Sequence, residues 1–187
     1  LAVNMAERAV ALVKIIYSNL PVDKISARIL ELEERYGQLD SVVVFEIARE
    51  IAEERFCRFN NKLDGIDAGI RVGFAYMTLG VVSSPIEGYT GLRLGKTKMG
   101  EDYFIASFSG PIRSAGTTSV CLVLILIEYM REIFCFAKYD VTNEEIERYV
   151  VENQDFHEKV ANLQYFPTEE EMRFLASHLP IQIDGDP

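Results

Sequence analysis

Glycine recurs at every fourth position in Gly65, Gly69 and Gly73, set among Ile66, Ile70, Phe74 and Met77. A glycine inside a helix costs about 1 kcal/mol relative to alanine, so three on one face demand compensation. Close approach of a second backbone supplies it, as in small-x-x-x-small helix faces. The spacing predicts a helix whose Gly65, Gly69 and Gly73 face packs hard against a neighbour; the alternative is a stretch that is partly non-helical.

Partners for that face are at hand. Met5, Ala9, Leu12 and Ile16 share a helical face, as do Ile25, Ile29, Leu32 and Tyr36 after Pro21, with Gly37 placed to end the second helix. A third helix follows, capped by Asp40 or Ser41, with Val44, Ile47, Ala48 and Ile51 as its stripe. From Gly80 the pattern changes. Thr90–Thr97 and Tyr103–Ser109 read as extended segments around the turn-rich Lys98-Met99-Gly100-Glu101-Asp102, a β-hairpin, and Val81-Val82 and Ile181-Gln182-Ile183 as short strands. Val120–Phe136 is apolar nearly all round at its start, the pattern of a central buried helix. Thr142-x-x-Glu145 and Thr168-x-x-Glu171 are capping boxes opening two further helices. Helices, hairpin, helices implies an α+β fold, mostly helical, with a hairpin or small antiparallel sheet packed on a central apolar helix. Residues 1–64 form the helical segment and residues 65–187 the α+β segment packed with it.

At 49% hydrophobic residues and 26% charged, with no low-complexity tract, the chain is expected to fold. Its net charge of −10 argues against the whole chain acting as a nucleic-acid clamp, because phosphate neutralisation needs clustered Lys and Arg; any DNA contact is expected to be local. Cys57, Cys121 and Cys135 contain no C-x-x-C pair and read as buried thiols in a reducing compartment. No secretory signal opens the chain, and the longest apolar run, Val120–Ile127, is too short to span a bilayer. A cytoplasmic protein without a membrane partner is expected. Leu1 in place of Met, and an end at Pro187 without a closing helix, read as cut ends.

Most catalytic patterns fail on spacing. Gly91-Leu92-Arg93-Leu94-Gly95-Lys96-Thr97 is one residue short of a phosphate-binding loop and is followed by a turn and a strand rather than a helix. His157-Glu158 lacks the second histidine of a zinc-protease helix, since Ala161 stands there, and His178 is isolated; both read as surface or satisfied helix histidines. Asp184-Gly185-Asp186 reads as a turn. One segment differs. Ser109–Thr118 joins the second hairpin strand to a helix N-terminus and supplies Arg113, Ser114, Gly116, Thr117 and Thr118 where unpaired backbone N–H groups favour an anion; a capped strand-to-helix turn is the alternative. With Arg93, Lys96 and Lys98 on the hairpin, these form the candidate anion or DNA surface.

The same stretch carries a family resemblance. Ser109–Gly116, with Gly69–Tyr76 and Gly80–Gly88 before it and Glu147–Val150, Asn162–Tyr165 with Pro167, and Leu179–Asp186 after it, resembles in order the N-terminal region of the large, polymerase-bearing subunit of archaeal D-family DNA polymerases. One departure matters: Thr117 stands where the family pattern has a second glycine, and its Cβ hinders close approach of a phosphate.

The resemblance implies template-directed DNA synthesis by a heterodimer whose small subunit carries a 3′–5′ exonuclease. It also implies a polymerase site using aspartates and divalent metal, Mg²⁺, in downstream domains. No position here matches that metal motif. What the resemblance implies for this stretch is therefore an architectural N-terminal domain without catalytic residues, cofactor or metal. Its expected partners are the small subunit, the remainder of the large subunit, DNA through the whole enzyme, and a second copy by self-association. The competing readings are a local DNA-contacting module and an independent nucleotide-binding enzyme resting on the broken phosphate loop alone.

Overall fold

The computed structural model describes residues 2–78, 88–110, 117–160 and 162–185. Four helices come first: α1 (Ala2–Lys14), α2 (Val22–Tyr36), α3 (Ser41–Ala52) and α4 (Lys62–Thr78). The hairpin β1 (Tyr89–Lys96) and β2 (Asp102–Phe108) follows, then α5 (Thr117–Ile133), α6 (Asn143–Lys159), α7 (Glu169–Ser177) and β3 (Gln182–Gly185). This is the expected α+β order, mostly helical with one small sheet. Val81-Val82 lies outside the described residues.

Local signals explain the boundaries. Asp40 rather than Ser41 caps α3, its carboxylate accepting from the Val42 N–H at 2.8 Å. Gly37 ends α2 in the positive-φ region, at φ 104°. Both capping boxes form, with Thr142 and Glu145 opening α6 and Thr168 and Glu171 opening α7. At the hairpin tip Gly100 takes φ 84° and donates its N–H to the Thr97 carbonyl. β1 and β2 pair antiparallel from Lys96↔Asp102, with an irregularity between Tyr89 and Gly91. β3 adds to β2 in parallel, with Ile105↔Gln182, so the sheet is mixed in the order β1-β2-β3.

The centre of the fold is α4. It is buried from Gly65 to Tyr76 without a break and packs against α1, α3, α5 and β1. Its glycines face α3. A Cβ at Gly69 would stand 2.3 Å from the Ala48 carbonyl oxygen, and one at Gly73 would stand 3.2 Å from Val44 Cγ1. At Gly65 the nearest atom is Phe59 Cδ2, at 3.1 Å. Ala48 and Ala52 supply small side chains on α3, so the two backbones meet closely and the helix cost of glycine is offset by contact.

Two expectations need correction. The apolar Val120–Phe136 stretch forms α5, which lies on the core but is not buried all round. Val123, Leu126, Ile127 and Met130, at helical spacing, face inward and are fully buried, whereas Ile125 is 54% exposed. Only one side of α5 is covered by α3, α4 and β2, so burial is rationed by neighbours rather than by composition. The cysteines are not all buried either: Cys57 is half-buried, and Cys121 and Cys135 are exposed. Cys121 sits on the outer side of α5, and Cys135 follows the helix end at φ 56°.

Candidate functional site

The hairpin cations come to the surface, and each is already engaged. Arg93, on β1, pairs across the sheet with Asp184 of β3, and its Nε donates to Ser107 Oγ at 3.2 Å. Lys96 Nζ lies 2.7 Å from Asp102 Oδ1 across the hairpin register. Lys98 Nζ lies 3.7 Å from Asp140 Oδ1, and its backbone N–H donates to Asp140 Oδ2. Side chains this exposed gain little from such pairs, but the three carboxylates cancel the local positive field that a phosphate would need.

Arg113, Ser114 and Gly116 lie outside the described residues. Thr117 opens α5, and Thr118 is exposed in its first turn. The Gly91–Thr97 stretch that resembles a phosphate loop is extended strand β1 up to Lys96, not a loop opening a helix N-terminus, so it lacks the geometry that cradles a phosphate. His157 Nδ1 accepts from the Leu163 N–H at 3.1 Å, and exposed His178 lies 2.7 Å from the Phe174 carbonyl oxygen, so both are locally engaged. Among the described residues, no group of three His, Cys, Asp or Glu is placed to hold a metal ion.

Sequence reasoning missed a buried polar cluster. Asp67 and Arg71, one turn apart on α4, are 5% and 4% exposed, with Arg71 Nε donating to Asp67 Oδ2 at 2.6 Å. Tyr17, just after α1, donates to Asp67 Oδ2, and Tyr89, opening β1, donates to Oδ1, each at 2.7 Å. The Arg71 fork completes itself on backbone, donating to the Tyr89 carbonyl at 3.0 Å and the Thr90 carbonyl at 2.7 Å. Every partner is satisfied, as a buried ion pair requires.

Burial, with the adjacent Asp67 carboxylate, pushes the Tyr17 and Tyr89 hydroxyls above the usual tyrosine range. For Arg71 burial works against the charge, and the attraction and hydrogen bond of Asp67 outweigh it, so its pKa rises. The cluster ties the end of α1, the middle of α4 and the start of β1 together. Its signal was present in sequence as a carboxylate and a guanidinium at i, i+4 inside an otherwise apolar, glycine-rich helix.

Fold and site together define an α+β fold organised on a glycine-faced helix, with Asp67 and Arg71 locked in an internal network and the hairpin cations paired. The family model described as DNA polymerase II large subunit DP2, N-terminal, matches residues 1–187, and the chain belongs to that family. Over 187 residues it is 42% identical to the DNA polymerase II large subunit of Nanoarchaeum equitans, covering all of this chain and 15% of that one. It is 40% identical to the Methanosarcina barkeri large subunit over 166 residues, 89% of this chain and 14% of that one. With the Archaeoglobus fulgidus large subunit it shares 38% identity over 187 residues, all of this chain and 15% of that one. The chain thus spans about one-seventh of the length of these relatives.

Proposed function

We propose that this chain is an architectural N-terminal domain of a replicative DNA polymerase of archaeal type, positioning the catalytic remainder of the large subunit and the small subunit rather than performing phosphoryl transfer. The observation that carries this reading is the family match over the whole chain, to relatives about seven times as long. The site supports it: Asp67 and Arg71 on α4 and Arg93, Lys96 and Lys98 on the hairpin are committed to structural pairs. Residues 1–64 and 65–187 act as one unit in this proposal, supported by a hydrophobic core that runs from Ala6 to Ile181.

The pairing of Arg93, Lys96 and Lys98 weighs against a dedicated DNA-contacting module, since their carboxylate partners repel the same phosphates. Template-directed synthesis, the associated exonuclease and the divalent metal belong in this proposal to other parts of the enzyme.

The test has two arms. Purified chain, given primer-template, nucleotides and Mg²⁺, is expected to extend no primer. Deleting these 187 residues from the large subunit is expected to reduce the complex with the small subunit seen in sedimentation velocity. Extension by the isolated chain, or assembly that survives the deletion intact, would overturn the proposal.

A further inference from the structure

α6 and α7 pack on each other as a lobe that contributes little to the core: Val150 is the buried residue of α6 and Ala176 that of α7. Many of the apolar side chains on these helices and the segment joining them face water, with Val151 59%, Val160 66%, Tyr165 68%, Phe174 63% and Leu175 56% exposed. Isolated exposed apolar residues need no explanation, but a cluster of this size on one lobe does. Tyr165, Pro167, Phe174 and Leu175 line a groove of about 400 Å³ whose other walls are Glu170 and Glu171.

Charge is concentrated on the same lobe. Residues 143–178 carry nine Asp and Glu against three Lys and Arg, an excess of six negative charges out of ten for the whole chain. All three cations are held within the lobe: Arg148 by Glu152, Lys159 by Asp155, and Arg173 by Glu147 and Glu169. The groove therefore combines an apolar floor with an uncompensated acidic rim.

We propose that this groove is a docking site for a basic amphipathic helix of a partner protein, whose apolar face fills the floor and whose Lys and Arg meet the rim. A helix laid in a groove matches both features, since apolar anchors and flanking charges then come from opposite edges of one element. A second copy of the chain is disfavoured because self-docking would set one acidic lobe against another, and nucleic acid is repelled by the same field. This inference rests on the assembly role proposed above and names the surface and partner chemistry that would serve it.

The test uses the chain and a fluorescent amphipathic Leu/Lys helical peptide of about 18 residues, with its Leu/Glu counterpart as control. The Leu/Lys peptide is expected to bind and the Leu/Glu peptide not to. F174S/L175S is expected to weaken binding about tenfold or more and E170K several-fold, with higher salt weakening it further. Both apolar positions are more than half exposed, so the fold should survive; Y165S, at a 68% exposed position, repeats the test should F174S/L175S melt early.

Equal binding of the Leu/Glu peptide, or no effect of F174S/L175S or Y165S, overturns the proposal. So does a concentration-dependent dimer, or DNA binding, that these substitutions abolish, because either names a different occupant. If the peptide result fails while sedimentation with the small subunit still depends on these 187 residues, the surface assignment falls and the assembly role stands.

Discussion

Gly69→Ala puts the α3–α4 contact to a quantitative test. The added Cβ would stand 2.3 Å from the Ala48 carbonyl oxygen and 3.1 Å from its carbonyl carbon. Comfortable contact begins at about 3.4 Å, so the helices would have to part by roughly 1 Å or α4 would have to rotate. Alanine would recover about 1 kcal/mol of helix propensity, while overpacking a filled interior costs about 1–3 kcal/mol. The obstruction is helical backbone, which cannot swing aside as a side chain can, so the upper part of that range applies. The net expectation is a loss of about 1–2 kcal/mol, or about 2–8 °C in melting midpoint for a domain of this size.

Neighbouring glycines supply the control. At Gly65 the close neighbour is the half-buried Phe59 ring, which can move, so Gly65→Ala should be near neutral. Gly73→Ala meets Val44 Cγ1 at 3.2 Å and the Val44 carbonyl oxygen at 3.3 Å and should fall between the two. Urea unfolding monitored by circular dichroism measures all three, with m-values checking that the unfolded reference is unchanged. A Gly69→Ala midpoint equal to or above wild type would refute the close-packed face, as would an order in which Gly65→Ala is the most damaging.

The buried cluster, the tyrosines and the hairpin give three further expectations. Arg71→Met leaves Asp67 charged, buried and unpaired, and should cost about 3–5 kcal/mol in urea unfolding, much of it recovered in the double variant with Asp67→Leu. Tyr17 and Tyr89 have folded pKa values raised by burial and Asp67, so the unfolded chain releases their protons first as pH rises. Stability should be flat in this respect below about pH 10, the unfolded value, and fall above it; phenolate absorbance should rise together with the loss of helical signal, and separate ionisation before unfolding would contradict the linkage. The chain should bind primed DNA weakly and with steep salt dependence. Replacing Arg93, Lys96 and Lys98 with Ala should remove that residual binding, and Asp140→Asn with Asp184→Asn should strengthen it, as measured by fluorescence anisotropy.

The sequence by itself was enough to place every described element to within a few residues, because those elements rest on local chemistry. The carboxylate of Asp40, the positive φ of Gly37 and the two Thr-x-x-Glu boxes act within one turn of chain, and the turn around Gly100 sets the hairpin register. The ordered family blocks were legible for the same reason, being contiguous residues.

What surrounds each element was not legible. Val120–Ile127 is more apolar than α4 on inspection, yet α4 is the buried centre, because its glycines admit α3 and because α1, α5 and β1 close over its other faces. The partners of Arg93, Lys98 and Asp67 lie 91, 42 and 22 residues away in sequence at Asp184, Asp140 and Tyr89, so whether a cation is free or spent is decided only when the strands and helices come together. Burial and pairing are properties of juxtaposed surfaces, and tertiary structure alone brings those surfaces into contact.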